Sequence, residues 1–164
     1  HERLVGSEMC IRDRWTPYRK MAQDPLDLAI RYMHIPTKDC ITERYQIHGS
    51  RKNPDFSDPL YVYGTDADEI RNLVASSPAM AEKLHPDYAY TVGEVTWLVR
   101  NEMPRTLEDV LARRLRILFL DARAAMAMAP KVAGILATEW GKDETWTSAQ
   151  VKAFNEVASN YILN

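Results

Sequence analysis

Six side chains able to bind or move charge crowd one short stretch of the sequence: Glu102, Arg105, Glu108, Asp109, Arg113 and Arg114. Arginine forks bind phosphate bidentately, so a substrate-phosphate site is one reading of this cluster. Yet each arginine has acids nearby in sequence, and Asp109 and Arg113 stand four residues apart in the order that favours an ion pair on a helix. A structural network is the favoured reading. A second candidate is Trp15-Thr16 ahead of Pro17, where threonine suits a helix N-cap and proline the first helical position. A helix N-terminus offers free N–H groups and positive potential to an electron-rich ligand edge. The plainer role for the pair is a cap beside a packed tryptophan. His34, His48 and His85 are isolated beside turn-forming residues, and neither HxxxH nor HExxH occurs. Cys10 and Cys40 stand alone, which suits a reducing compartment better than a zinc site or a disulfide framework. No GxGxxG is present, so no dinucleotide-binding strand–turn–helix is expected in this stretch of chain.

The totals narrow the function classes. A chain of 164 residues can bury the core of one ordinary domain. Its formal net charge of −2 gives no basic surplus for nucleic acid. A helical nucleic-acid binder using Arg113, Arg114 and Arg116 is disfavoured by the surrounding acids. Tyr88, Tyr90 and Trp97 likewise interleave with acids, unlike a stacking platform for single strands. No run of 18 apolar residues suggests a membrane span, and the first residues lack a secretory pattern.

The elements that would position the cluster form a helical hairpin from Tyr90 to Asp121. Thr91 and Glu94 make a capping box. Val92, Val95, Val99 and Met103 continue at helical spacing as one apolar stripe. Pro104 ends that helix, and Thr106 with Asp109 starts the next, whose Leu107, Leu111, Arg114 and Leu118 share a face. Upstream, Asp66 and Glu69 predict a capped helix to about Ser76, with Ile70, Leu73 and Val74 inward. Pro78 predicts a short helix over MAEKL. Downstream, the alanine-rich run from Ala122 predicts a long helix that Pro130 kinks or splits and Gly141 ends. Thr147 and Gln150 would cap a last helix with a stripe of Val151, Phe154, Ala158 and Tyr161. Met103, Met126 and Met128 read as core filler. The fold class is therefore all-α over residues 64–164, with about five to six helices. Residues 35–63 read as an irregular connector, with a short strand at Arg44–Ile47. Residues 15–34 read as one helix with an inward face of Tyr18, Met21, Ala22, Leu28, Ala29 and Tyr32, kinked or broken by Pro25 near Asp24. Residues 1–14 show no period and read as a foreign stretch.

EMPRTLEDVLARRLRILFLDARAA resembles the signature of the C-terminal helical domain of FAD-dependent glycerol-3-phosphate dehydrogenases. Glu102, Arg105, Thr106, Glu108, Asp109, Val110, Leu111, Arg113, Arg114, Leu120, Asp121 and Ala122 carry the match. WTPYRKMAQD, Trp15–Asp24, is similar to the segment where the flavin domain of that family closes, and APKVAGILATEWGKDETWTSAQVKAFNEVA is similar to a third block near the end. The resemblance implies a parent enzyme that oxidises sn-glycerol 3-phosphate to dihydroxyacetone phosphate, passing hydride to FAD and electrons on to quinone; a related oxidase uses oxygen. It implies that Trp15 and Thr16 lie against the flavin, although Arg14 and Pro17 depart from the lysine and threonine of the family. It further implies that 15–34 is the terminal helix of an α/β FAD-binding domain. On this reading the chain is a fragment, inactive alone, whose partner is its own FAD-binding domain. The expected location is cytoplasmic, with peripheral contact at an inner membrane. The alternative is a free-standing helical protein-interaction module.

Overall fold

The computed structural model describes residues 18–162, which fall into a unit ending at His48 and a unit beginning at Gly49. In the first unit a single helix, α1, spans Tyr18–Tyr32. It runs through Pro25 without a break, which leaves only the kink of the two outcomes expected there. Proline removes one backbone bond, but side chains bridge the gap: Lys20 pairs with Asp24 at 3.0 Å, and Arg19, Gln23 and Asp27 form a ladder at four-residue spacing. The helix closes at His34, which takes the left-handed conformation (φ 51°) while Ile35 N–H bonds back to Ile30. No residue of α1 is buried, so the face assigned inward from the sequence lies uncovered. Nor does Arg44–Ile47 form a strand; residues 42–44 are a turn, and residues 45–47 have no regular structure.

The second unit starts with a loop clasped at its base by two glycines. Gly49 and Gly64 both have positive φ, and Thr65 N–H bonds to Gly49 O at 3.2 Å. A Cβ on Gly64 would lie 1.6 Å from that same oxygen, so no other residue fits there. Within the loop, Asp55 turns on Ser57 and Asp58 caps Leu60, while Arg71 reaches Asp58. Residues 49–63, read from the sequence as connector, are thus tied to the helical unit.

A 3-10 segment, Tyr61–Asp66, leads into α2, Ala67–Ala75. The expected Asp66–Glu69 box is not used: α2 has no side-chain cap, and Glu69 instead accepts from the indole N–H of Trp97 at 3.1 Å. The MAEKL helix is also absent. Its backbone pairs with the incoming chain: Gly93, Val92 and Leu84 N–H groups bond to Met80, Glu82 and Tyr90 carbonyls, and Lys83 bridges Thr91. Long-range pairing outcompetes a helix this short. Helix α3, Val92–Asn101, then starts under the expected cap, with Thr91 Oγ accepting from Glu94 N–H at 3.2 Å. Gly93 sits where a Cβ would be 2.8 Å from Val74 Cγ2, so glycine permits α3 to cross close over α2.

The chain turns at Met103, which has φ 46° and is exposed, so it leaves the stripe assigned to it. A π-helical stretch, Asp109–Arg114, comes next, closed by Leu115 N–H to Val110 O at 2.9 Å. Arg116 (φ 59°) breaks it from the one-turn α4, Ile117–Leu120, and Asp121 caps α5, Ala122–Trp140. Helix α5 is unbroken at Pro130 and ends on Gly141 (φ 63°). Asp143, not Thr147, caps α6, Glu144–Ser159, by accepting from Trp146 N–H at 2.8 Å. Among the described residues of this unit there are five α-helices, and none of those residues forms a strand. Its core joins Ile70, Val95, Leu98, Leu111, Met128 and Phe154. Ala125, Ala129 and Ala133, all fully buried at four-residue spacing, let neighbouring helices come close to α5.

Candidate functional site

The acid–arginine cluster forms the corner between α3 and the π-helical stretch. Asp109 holds it together. Its carboxylate accepts from the backbone N–H of Arg105 and Thr106, both at 3.0 Å, and from Arg113 at 2.8 Å, while Asp109 N–H bonds to Thr106 Oγ at 3.2 Å. Partial burial pushes this carboxyl up, but the Arg105 and Thr106 donors and the Arg113 charge together outweigh it and hold the group below the usual aspartate range. Arg113 also reaches Glu108 at 2.8 Å. Arg114 donates to the Glu102 carboxylate at 3.3 Å and to the Glu102 carbonyl at 2.8 Å. Arg113 and Arg114 thus have their forks committed to acids and carbonyls of the same corner. A phosphate at Arg113 or Arg114 would have to displace those partners, which favours the structural reading for these two arginines. The corner is sealed from the far end of the chain, where Gln150 Oε1 accepts from Leu107 N–H at 3.1 Å.

A second polar group lies deeper. Glu94 is 4% exposed, yet it is a carboxylate on the core side of α3. Tyr63 OH donates to it at 2.7 Å, and the nearby Thr91 backbone N–H also favours its charged form. Burial pushes the Glu94 carboxyl up, against the pull of these donors. Tyr63 is pushed up in turn, first by its own burial and then by the neighbouring Glu94 charge. Nearby, Asp121 carries two jobs: its carboxylate caps α5 through Ala124 N–H at 2.9 Å and accepts from Tyr88 OH at 3.1 Å. The Ala124 N–H is the main reason that its carboxyl lies below the ordinary range. Arg100 and Glu139 clamp α3 to α5 through two parallel bonds of 2.8 Å.

The sequence spacing places Glu94 in a capping box but does not reveal that its carboxylate is buried. The signal that could have revealed it is local: the residue sits between Gly93 and Val95 on the stripe side. Its partner Tyr63 is a long way upstream, and no spacing rule connects the two. Trp15 and Thr16, the candidate flavin contacts, lie outside the described residues.

FAD needs a cradle for its pyrophosphate, which helix N-termini commonly provide. The helix starts of the second unit do not fit that need. Thr91, Asp121 and Asp143 side chains occupy the N-termini of α3, α5 and α6, and Asp109 occupies the corner. The uncapped start of α2 carries Asp68 and Glu69 in its first turn, which repel phosphate.

Fold and site together define an all-α domain whose charged cluster is a cornerstone of the helical unit. Among the described residues no helix is long and apolar enough to cross a membrane. A family model described as the C-terminal domain of alpha-glycerophosphate oxidase matches residues 40–147. The chain belongs to that family. It is 30% identical, over 91% of its length, to a protein of Caenorhabditis elegans named "Probable glycerol-3-phosphate dehydrogenase, mitochondrial", and covers 23% of that protein. It is 27% identical over 90% of its length to "Glycerol-3-phosphate dehydrogenase SDP6, mitochondrial" of Arabidopsis thaliana, covering 30% of it. To "Probable glycerol-3-phosphate dehydrogenase" of Encephalitozoon cuniculi it is 31% identical over 79% of its length, covering 24%. The chain therefore spans less than a third of each of these relatives. No solved structure matches it.

Proposed function

We propose that this chain is the helical C-terminal domain of an FAD-dependent, quinone-linked glycerol-3-phosphate dehydrogenase. One observation carries the reading: similarity to proteins with that dehydrogenase name runs along 91% of this chain but only 23% of the C. elegans relative. In this reading glycerol 3-phosphate is the substrate and quinone the acceptor, and the flavin, which supplies the hydride-accepting chemistry, is held by a part of the protein other than residues 18–162. The helical unit braces that part and does not itself react. Residues 15–34 would be the last element of the FAD-binding domain, with Trp15 and Thr16 against the flavin, residues 35–63 a connector, and residues 64–164 the helical domain. The lack of any buried residue on α1 supports this, because its apolar Leu26, Leu28 and Tyr32 need a surface to cover them. A cytoplasmic location with peripheral contact at an inner membrane belongs to the same proposal.

The test compares this chain with the product of the full reading frame around its sequence. The longer product should carry flavin absorbance and reduce a quinone analogue only when glycerol 3-phosphate is added; this chain should do neither. A stoichiometric flavin on residues 1–164 alone, or a longer product with no response to glycerol 3-phosphate, would overturn the reading.

A further inference from the structure

Two cavities share a wall inside the helical unit. The first holds about 480 Å³ between Leu60, Ile70, Val74 and Tyr88. The second holds about 440 Å³ beside Tyr61, Phe119 and Leu120. Pro59, Tyr90 and Glu94 line both. The charged residues lining the first cavity are Asp58, Arg71 and Glu94. Asp58 and Arg71 pair with each other, which leaves Glu94. Among the described residues no ion pair forms to Glu94, although Arg114 and Arg116 line the second cavity with it. The Tyr63 hydroxyl hydrogen-bonds to it, and the backbone N–H groups at the α3 N-terminus add a partial positive charge. None of these brings a whole charge, and a buried carboxylate is costly until something does. On the same cavity wall the rings of Tyr88 and Tyr90 stack at 17° with centroids 6.1 Å apart. Tyrosine faces attract cations as well as flat apolar groups.

We propose that this cavity binds an organic monocation, a flat apolar ring bearing one protonated amine, with the ammonium drawn to Glu94 and the ring held among Ile70, Val74 and the two tyrosines. Its volume lies within the range of about 300–1,000 Å³ usual for small-molecule sites. A neutral ring of the same shape gains the apolar burial alone. An acid of the same shape meets the Glu94 charge. The site belongs to the helical unit and does not depend on the reaction of any longer protein.

Three indoles of equal ring and different charge provide the test, titrated calorimetrically into the purified chain: tryptamine, tryptophol and indole-3-acetate. Tryptamine should bind at least about tenfold more tightly than tryptophol, and indole-3-acetate should bind more weakly than either. Glu94→Gln should bring the tryptamine and tryptophol affinities together, because glutamine keeps the shape, still completes a capping box and still accepts from Tyr63, but carries no charge. Ala89→Trp, at the exposed rim of the cavity, should abolish binding of both without touching the core. Equal affinities for tryptamine and tryptophol, a preference that survives Glu94→Gln, or binding untouched by Ala89→Trp would each overturn the proposal. So would the absence of any tryptamine binding.

Discussion

Replacing Asp109 by alanine tests whether the charged corner is structural. The substitution removes two backbone hydrogen bonds at 3.0 Å and the Arg113 contact at 2.8 Å. Loss of a capping side chain costs about 0.5–2 kcal/mol. The ion pair is less valuable: Arg113 is 55% exposed and keeps Glu108, so its loss adds at most about 1 kcal/mol. The sum is about 0.5–3 kcal/mol, and the cap supplies most of it. With a urea slope of about 2 kcal/mol/M, the unfolding midpoint of the helical unit should fall by roughly 0.25–1.5 M, read from tryptophan fluorescence. Asp109→Asn separates the two contributions, since asparagine caps nearly as well but carries no charge, and it should lose under about 1 kcal/mol. The sign of the pH dependence comes from the depressed folded-state pKa of Asp109. Its stabilisation is fully present above the ordinary aspartate range and is lost as pH falls through the lower folded value. The gap between wild type and Asp109→Ala should therefore close in acid. An unchanged midpoint, equal losses for Asn and Ala, or a gap that persists at strongly acid pH would refute the reasoning.

Glu94 behaves oppositely. Its folded-state pKa is raised by burial, so its ionisation costs stability as pH rises above the unfolded value. Glu94→Gln should gain in Tm relative to wild type as pH rises above the ordinary glutamate range, and a relative loss there would contradict the burial argument. Gly64→Ala should destabilise the unit by more than about 2 kcal/mol, because it combines a positive φ with a backbone overlap at Gly49; a neutral result in urea melts would mean that the clasp opens freely. Limited proteolysis should remove α1 early and leave a resistant fragment beginning near Gly49, and cleavage inside residues 92–140 at the same rate would contradict the two-unit division.

Helix existence is largely legible in the sequence, and helix ends are legible where a local side chain decides them. Thr91, Gly141 and the Thr106–Asp109 pair act as their types and spacing predict. Sequence and structure part where a distant group wins. MAEKL loses its helix to pairing with residues 90–93, and Glu69 leaves its expected cap for Trp97. Thr147 and Gln150 look like a capping box, but Asp143 lies a turn earlier and Gln150 is drawn to Leu107. Neither interior proline interrupts its helix, since neighbouring turns keep α1 and α5 continuous. The corner is legible as a network because its partners lie within a few residues of one another. The Glu94–Tyr63 pair is not, because its two halves meet only when the 3-10 segment folds over α3.

The bond from Leu107 N–H to Gln150 carries a consequence for the order in which the protein is made. Leu107 starts the turn that the whole corner caps, yet its partner is delivered by α6, the last of these helices to leave the ribosome. Phe154, fully packed in the core, arrives with it. During synthesis, then, α2 to α5 can assemble only as an open-sided precursor with one backbone donor and one aromatic socket waiting. Quality control acting on the nascent chain would meet that gap in every molecule, and nonsense mutations ahead of Asp143 would make it permanent. Such truncated products should be cleared by proteases much faster than point variants of the corner itself.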